Sequence, residues 1–191
     1  MEIIRPQLDT LARLDDVWRY PGLHTVLTHP RITHLDGDGR MYLMRTPETY
    51  DLIEADALRP TSAYAGNLYS EQYFDLMRRR LNRGGLAVSW APTPRVHDTF
   101  VKIFPHALTF GDIVIGSNDP IHFDLDVVRA RLDHSAVRDH FAAASVDIAA
   151  LVSRYLDAAP RVFTPDHNRT MLVDTNTDLF PKDEFGVERR D

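Results

Sequence analysis

Two aspartates stand where a carboxylate can do chemistry. Asp38 follows the alternating run Ile32-Thr33-His34-Leu35 through Asp36-Gly37, and Asp56 closes the run Tyr50-Asp51-Leu52-Ile53-Glu54-Ala55. Both runs read as strands, and in open α/β sheets ligands bind beyond the carboxyl ends of the strands. A carboxylate there accepts hydrogen bonds from a ligand's hydroxyl, amino or ammonium group. It also serves as a general base when it lies within hydrogen-bond reach of the proton to be removed. The plainer role for each is to cap a helix or stabilise a turn, the more so for Asp38 beside its glycines.

Other chemistries have less to stand on. Cysteine is absent, which removes thiolate nucleophiles, disulfides and Cys-based zinc sites. The nine histidines form no compact ligand spacing; His29 and His34 flank a strand, and His134 and His140 are poorly placed on one helical face, so no metal site is assigned. No Gly-x-Ser-x-Gly elbow is present. The net charge of −6 argues against nucleic acid as a partner. The basic run Arg78-Arg79-Arg80 falls in the last turn of an expected helix, where positive charge complements the dipole.

The elements that must position the aspartates are legible in outline. Leu8, Leu11, Leu14 and Val17 put an apolar face on a helix over 7–18, ended by Pro21-Gly22. A short helix is expected from Arg40 to Met44 after the Asp36–Gly39 turn. A loop with Pro60, Thr61, Ser62 and Gly66 leads to a helix with Ser70 as N-cap. Its apolar face is Tyr73, Leu76, Met77 and Leu81, and Gly84-Gly85 is read as its stop. Leu86–Trp90 reads as a strand, His97–Phe104 as a helix, and Ala107–Phe110 and Asp112–Ile115 as short strands. Strands separated by helical segments indicate a parallel sheet with crossover helices. From Asp124 onward helices are expected over about 124–133, 135–143 and 145–157, followed by a polar, turn-rich end from Asp174 to Phe185.

At 191 residues the chain has the length of one ordinary domain, roughly 100–200 residues, and 43% hydrophobic residues suffice for a core. No apolar stretch approaches the roughly 18 residues of a membrane span. Met1-Glu2-Ile3-Ile4-Arg5-Pro6 lacks the apolar centre of a signal peptide, which makes the cytoplasm the default expectation.

Four segments in succession carry a family resemblance: Gly37-Asp38-Gly39-Arg40, Tyr50–Asp56, Leu68-Tyr69-Ser70-Glu71-Gln72-Tyr73-Phe74 and Leu81-Asn82-Arg83-Gly84-Gly85. In order and spacing they resemble motifs of spermidine synthases, the polyamine aminopropyltransferases. The ending Asn176-Thr177-Asp178, Pro181 and Glu184-Phe185 is similar to the tail of bacterial spermidine-synthase-like proteins. The resemblance implies an α/β fold: a partial S-adenosylmethionine-dependent methyltransferase-like Rossmann sheet over 1–123, with a helical C-terminal addition and polar tail over 124–191. It implies transfer of an aminopropyl group from decarboxylated S-adenosylmethionine to a small amine, with no permanently bound cofactor. By the same resemblance Asp56 lies beside the reacting amine and takes part in its deprotonation. Asp38 and its neighbour Gly39 lie on the nucleotide side, Asp38 at the adenine amino group, and Glu2 takes the ribose hydroxyls.

The sequence departs from the family at three places. Where synthases carry a second acid, this chain has Asp56-Ala57-Leu58-Arg59-Pro60, and the Arg59 guanidinium would repel a cationic polyamine. Trp90 stands where many members have a polar residue, and reads as a core or pocket-wall aromatic. The glycine-rich strand–turn–helix expected before Glu2 is absent from the sequence, and with it two strands that the family sheet places between Ile32–Leu35 and Leu52–Asp56. The expectation is therefore a sheet with exposed edges, belonging to a fragment, a late-start product, or a chain completed by a partner or a homo-oligomer. Two alternatives stand beside aminopropyl transfer. One is a methyltransferase using S-adenosylmethionine, since one fold serves both donors; the other is a non-catalytic remnant or regulatory domain of a larger membrane-linked protein.

Overall fold

The computed structural model describes residues 9–14, 24, 27–56, 58–156 and 159–189. The chain divides into two compact units, Met1–Thr46 and Pro47–Asp191. In the first, residues 9–14 are helical, within the stretch expected from its apolar spacing; the remainder of that stretch, with Pro21-Gly22, lies outside the described residues. Helix α1 (Gly39–Arg45) follows the glycine turn as expected. The strand expected at Ile32–Leu35 does not form. Alternation makes a strand only when a neighbour takes its backbone groups. Here Ile32 and Leu35 are exposed, and no ladder pairs them among the described residues.

The second unit is built on a five-stranded sheet in the order β1-β2-β4-β3-β5. Its strands are β1 (Tyr50–Ala55), β2 (Leu81–Trp90), β3 (His106–Phe110), β4 (Ile113–Ser117) and β5 (Arg161–Phe163). Only β1 and β2 run parallel; the other pairings are antiparallel. The expectation of a parallel sheet thus holds for one pair, for a simple reason. Gly111-Asp112 alone connect β3 to β4, and a parallel crossover needs a dozen or more residues. Gly111 supplies the positive φ of 59° that the tight turn requires.

Helix α2 (Glu71–Arg79) crosses from β1 to β2, and α3 (Pro94–Ile103) follows β2. Ser70 Oγ accepts the Tyr73 N–H at 3.1 Å and Thr93 Oγ1 accepts that of Val96 at 3.0 Å, so each helix opens on a side-chain cap. The helices meet through aromatic rings. Phe74 sets its edge against Phe100 with centroids 5.0 Å apart, and Phe100 stacks on Phe104 at 4.4 Å. Gly116 of β4 lies beneath them, where an added Cβ would come 2.6 Å from Phe104 Cδ1. Burial of each such ring contributes about 1.5–3 kcal/mol.

Helix α2 stops earlier than its glycines suggest. Arg80 closes it, its carbonyl accepting the Tyr50 N–H at 2.8 Å, and Leu81 already belongs to β2. Gly84-Gly85 instead serve an irregularity inside that strand. The β1–β2 register jumps from Tyr50↔Leu81 to Leu52↔Leu86. Gly84 takes φ +71° there, and a Cβ on Gly85 would lie 2.8 Å from the Tyr50 carbonyl. The arginine run finds a local partner: Arg78 and Arg79 pair with Asp75 at 2.7 and 3.0 Å.

Helices α4 (Leu125–Asp133), α5 (Ser135–Ala142) and α6 (Ile148–Leu156) match the expected C-terminal helices. Asp124 and Asp147 cap the first and third through their carboxylates. No described helix is long and apolar enough to cross a membrane.

Part of the polar end of the chain is buried: Thr175, Asn176, Pro181 and Asp183. Arg169 donates to the Val101, Phe104 and Pro105 carbonyls at 2.8–2.9 Å, closing the end of α3. Further on, Arg95 of α3 is 4% exposed and donates to Asp183 at 2.7 Å and to Asp174 at 3.0 Å. Lys182 reaches Asp174 at 2.7 Å, Thr93 reaches Asp183 at 2.8 Å, and the Asn176 amide bonds Asp183 in both directions. Burial alone would raise the Asp174 carboxyl, but the bonds from Arg95 and Lys182 outweigh it and hold its pKa below the ordinary carboxylate value.

Candidate functional site

Strand geometry brings the first predicted residue into place. Side chains alternate along β1, so Ile53 enters the core while Glu54 stays exposed, and Asp56 follows the last paired residue. Along β2, Ser89 is buried, with Val88 and Trp90 on the opposite face. At the shared carboxyl end of these two parallel strands lies an open cavity of about 330 Å³. Its acidic and aromatic lining comes from Glu54, Asp56, Trp90, Asp112 and Tyr155, with Ser89 beside them.

The β3–β4 turn completes the rim. The Trp90 indole N–H donates to Asp112 Oδ2 at 2.8 Å, and the Ala91 N–H donates to the Asp112 carbonyl at 2.6 Å. These two bonds fix the indole beside the acids. Three carboxylates and two aromatic rings around one space suit a cationic or hydrogen-bond-donating ligand: the acids supply charge, and an aromatic face adds cation–π attraction. Among the described residues, Asp56 and Glu54 have no ion-pair partner.

Tyr69 lies near enough to Asp56 to feel its charge. It is fully buried, and its phenol donates to the Leu58 carbonyl at 2.7 Å. Burial first, then the nearby Asp56 charge and Tyr73, push its pKa up to about 12. The phenol therefore remains a donor and ties the start of the loop after Asp56 to the core. Beyond Tyr155 an adjoining groove of about 730 Å³ is lined by His97, Thr109 and Arg161. The buried His97 Nε2 has no hydrogen-bond partner among the described residues, while its Nδ1 lies 3.3 Å from Asp98.

The other predicted residues have separate places. Asp38 caps α1: its Oδ1 accepts the Arg40 and Met41 N–H groups at 2.9 and 3.1 Å. Gly39 is the first residue of that helix, with no atom within 4 Å of where a Cβ would project. Both belong to the first unit, and Asp56 to the second. Glu2 lies outside the described residues, as does Ala57. Arg59 is exposed and does not line the cavity, whereas Trp90 does. Sequence reading missed Asp112 and Tyr155. Asp112 carried a usable signal, since it sits in a two-residue turn directly after a strand. Tyr155 carried none, because it arrives from a distant helix. Among the described residues no group of three or more histidines and acids could hold a metal ion.

Comparison with known proteins bears on this arrangement. The sequence pattern of the spermine/spermidine synthase domain matches residues 19–107. A polyamine aminopropyltransferase of Thermococcus kodakarensis is 31% identical over 124 residues, covering 58% of this chain and 43% of that protein. Another, from Korarchaeum cryptofilum, is 32% identical over 76 residues, covering 39% of this chain and 23% of that protein. The chain thus spans less than half the length of these curated relatives. In fold it resembles the crystal structure of a probable spermidine synthase from Corynebacterium glutamicum. That likeness has a TM-score of 0.50 at 16% identity and covers 88% of this chain and 60% of the other.

Proposed function

We propose that this spermidine-synthase-like chain carries the amine side of an aminopropyl-transfer site, with Asp56 as its proton acceptor. The observation that carries the reading is the cavity at the carboxyl end of β1 and β2, where Asp56, Glu54 and Asp112 gather around the Trp90 ring. A small amine enters as an ammonium ion, held by carboxylates and an aromatic face. It reacts only when neutral, so a carboxylate within reach of the nitrogen has to accept a proton. The nitrogen lone pair then attacks the aminopropyl carbon attached to the sulfonium of decarboxylated S-adenosylmethionine. The carbon–sulfur bond breaks, its electrons pass to sulfur, and a neutral thioether, methylthioadenosine, leaves.

Glu54 and Asp112 hold the cation while Asp56 faces the reacting nitrogen. Asp112 is itself oriented by the Trp90 indole. The missing second acid of the family pattern is replaced in this reading by Asp112 from the hairpin turn. Arg59 does not oppose the amine, because it is exposed and outside the cavity lining. Asp38, Gly39 and Glu2 are the nucleotide-side residues of the same proposal. An acidic chain without cysteine suits the cytoplasm as the setting.

Calorimetric titration with decarboxylated S-adenosylmethionine, S-adenosylmethionine and methylthioadenosine tests the donor. A preference for the decarboxylated form of about tenfold or more, roughly 1.4 kcal/mol, supports aminopropyl transfer. The reverse preference turns the reading to methyl transfer, and binding of none of the three removes both for this chain.

A further inference from the structure

The loop that follows Asp56 is held by a residue from the far end of the chain. Glu184 Oε1 accepts the Tyr64 N–H at 2.8 Å, and Oε2 accepts the Gly66 N–H at 2.9 Å. One carboxylate thus takes two backbone donors of one loop, using both oxygens. Tyr64 has φ +67°, a conformation uncommon for a residue with a side chain. Such a backbone persists where its surroundings over-determine it, and here the Glu184 bond falls on that very residue.

The grip is built in at both ends. Gly66 is buried against Pro181, and an added Cβ there would approach Glu184 Oε2 to 2.6 Å and Pro181 more closely still. Asp183, next to Glu184 in the chain, is fixed by Arg95, Thr93 and Asn176. The start of the loop is tied separately, by the Tyr69 phenol to the Leu58 carbonyl, close enough to Asp56 for its charge to be felt. Between these anchors, further bonds from Ser62 to Arg59 and from Ala65 to Ser62 close the turns. The loop leaves the carboxyl end of β1, the side on which the cavity opens.

We infer that Glu184 is a positioning residue for the amine side of the site: it sets the path of residues 58–66 after Asp56, and with it the affinity for the amine. This rests on the aminopropyl-transfer reading for the identity of the ligand, and on the structure alone for the clamp. A carboxamide cannot reproduce the clamp, since one of its two groups is a donor facing another donor.

The test uses the full chain and its Glu184→Gln variant, with putrescine as the amine probe. Amide hydrogen exchange reads the loop, and steady-state kinetics reads the site. In E184Q the Tyr64–Gly66 amides should exchange about tenfold faster or more, with β2 and β4 amides unchanged. The KM for putrescine should rise about fivefold or more, with kcat within about twofold and the donor KM unchanged. Unchanged exchange overturns the clamp. Faster exchange with an unchanged putrescine KM in an active parent overturns its link to the site. A parent that turns over no donor sinks the transfer reading instead. Putrescine affinity by titration then replaces KM: weaker binding in E184Q supports the inference, and equal binding, or none in either protein, overturns it.

Discussion

Two acidic regions of the second unit use the same side chains to opposite ends. Under the tail, Asp174 and Asp183 are answered by Arg95, Lys182, Thr93 and Asn176 within 3.2 Å. At the strand ends, among the described residues, Asp56 and Glu54 meet no cation of the chain, and the Asp112 carboxylate meets a neutral indole. Removing one member of a buried charge cluster leaves the others unsatisfied, so the first region is bound to stability. Charges that the protein leaves unanswered beside an open cavity cost little in water and are available to a ligand. An acid's role in this molecule follows from what faces it.

The comparison breaks most readily at Arg95. Arg95→Met should lower stability by about 3–5 kcal/mol, because Asp183 would remain buried without its cation and half-buried Asp174 would keep only Lys182. Urea unfolding measures this, and a loss under about 1 kcal/mol would mean the cluster is not what holds the tail. The acid limb of stability sharpens the same point. The folded pKa of Asp174 is held below its ordinary 3.8, by Arg95 and Lys182 against the effect of burial. The unfolded chain therefore takes up that proton first. The contribution is complete above about pH 5 and is lost as the pH falls through the folded value. Unfolding midpoints between about pH 3 and 6 should decline toward acid, and Asp174→Asn should flatten that slope. A slope unchanged in the variant would place the acid sensitivity elsewhere.

Smaller effects follow. Ser70→Ala removes the α2 cap and the bond to Asp178, and should cost about 1–2 kcal/mol in urea unfolding. Arg59→Ala should change least. A screened surface charge outside the cavity alters putrescine affinity by no more than about twofold in titration at physiological salt. A tenfold gain would show that Arg59 does oppose the amine, and would reinstate the conflict its sequence position implies.

Much of the scaffold was legible for local reasons. Ser70 announced a helix start, the Tyr50–Asp56 run a strand with an acid at its end, and the change of character at Asp124 the final helices. What failed depended on partners distant in sequence. Gly84-Gly85 look like a helix stop, yet the Tyr50 carbonyl makes them part of a strand irregularity. Ile32–Leu35 alternates, but alternation cannot supply the neighbour a strand requires. The tail reads only as polar and turn-rich, because composition does not show that Arg95 waits beneath it. At the site, Asp56 was legible because strand direction alone exposes it. Asp112 and Tyr155 needed the antiparallel return of β4 and the packing of α6 to reach it.

Asp56 tests the account most directly. Aminopropyl transfer from decarboxylated S-adenosylmethionine to putrescine, measured as an initial rate for Asp56→Asn beside the parent, isolates the proposed proton acceptor from the fold. General-base catalysis contributes about 10²–10⁴-fold, so the rate should fall by about a hundredfold or more. Thermal stability should stay within about 2 °C, because the residue is exposed and outside the buried charge cluster. A variant rate within about threefold of the parent would contradict the assignment of Asp56 and the reading built on it.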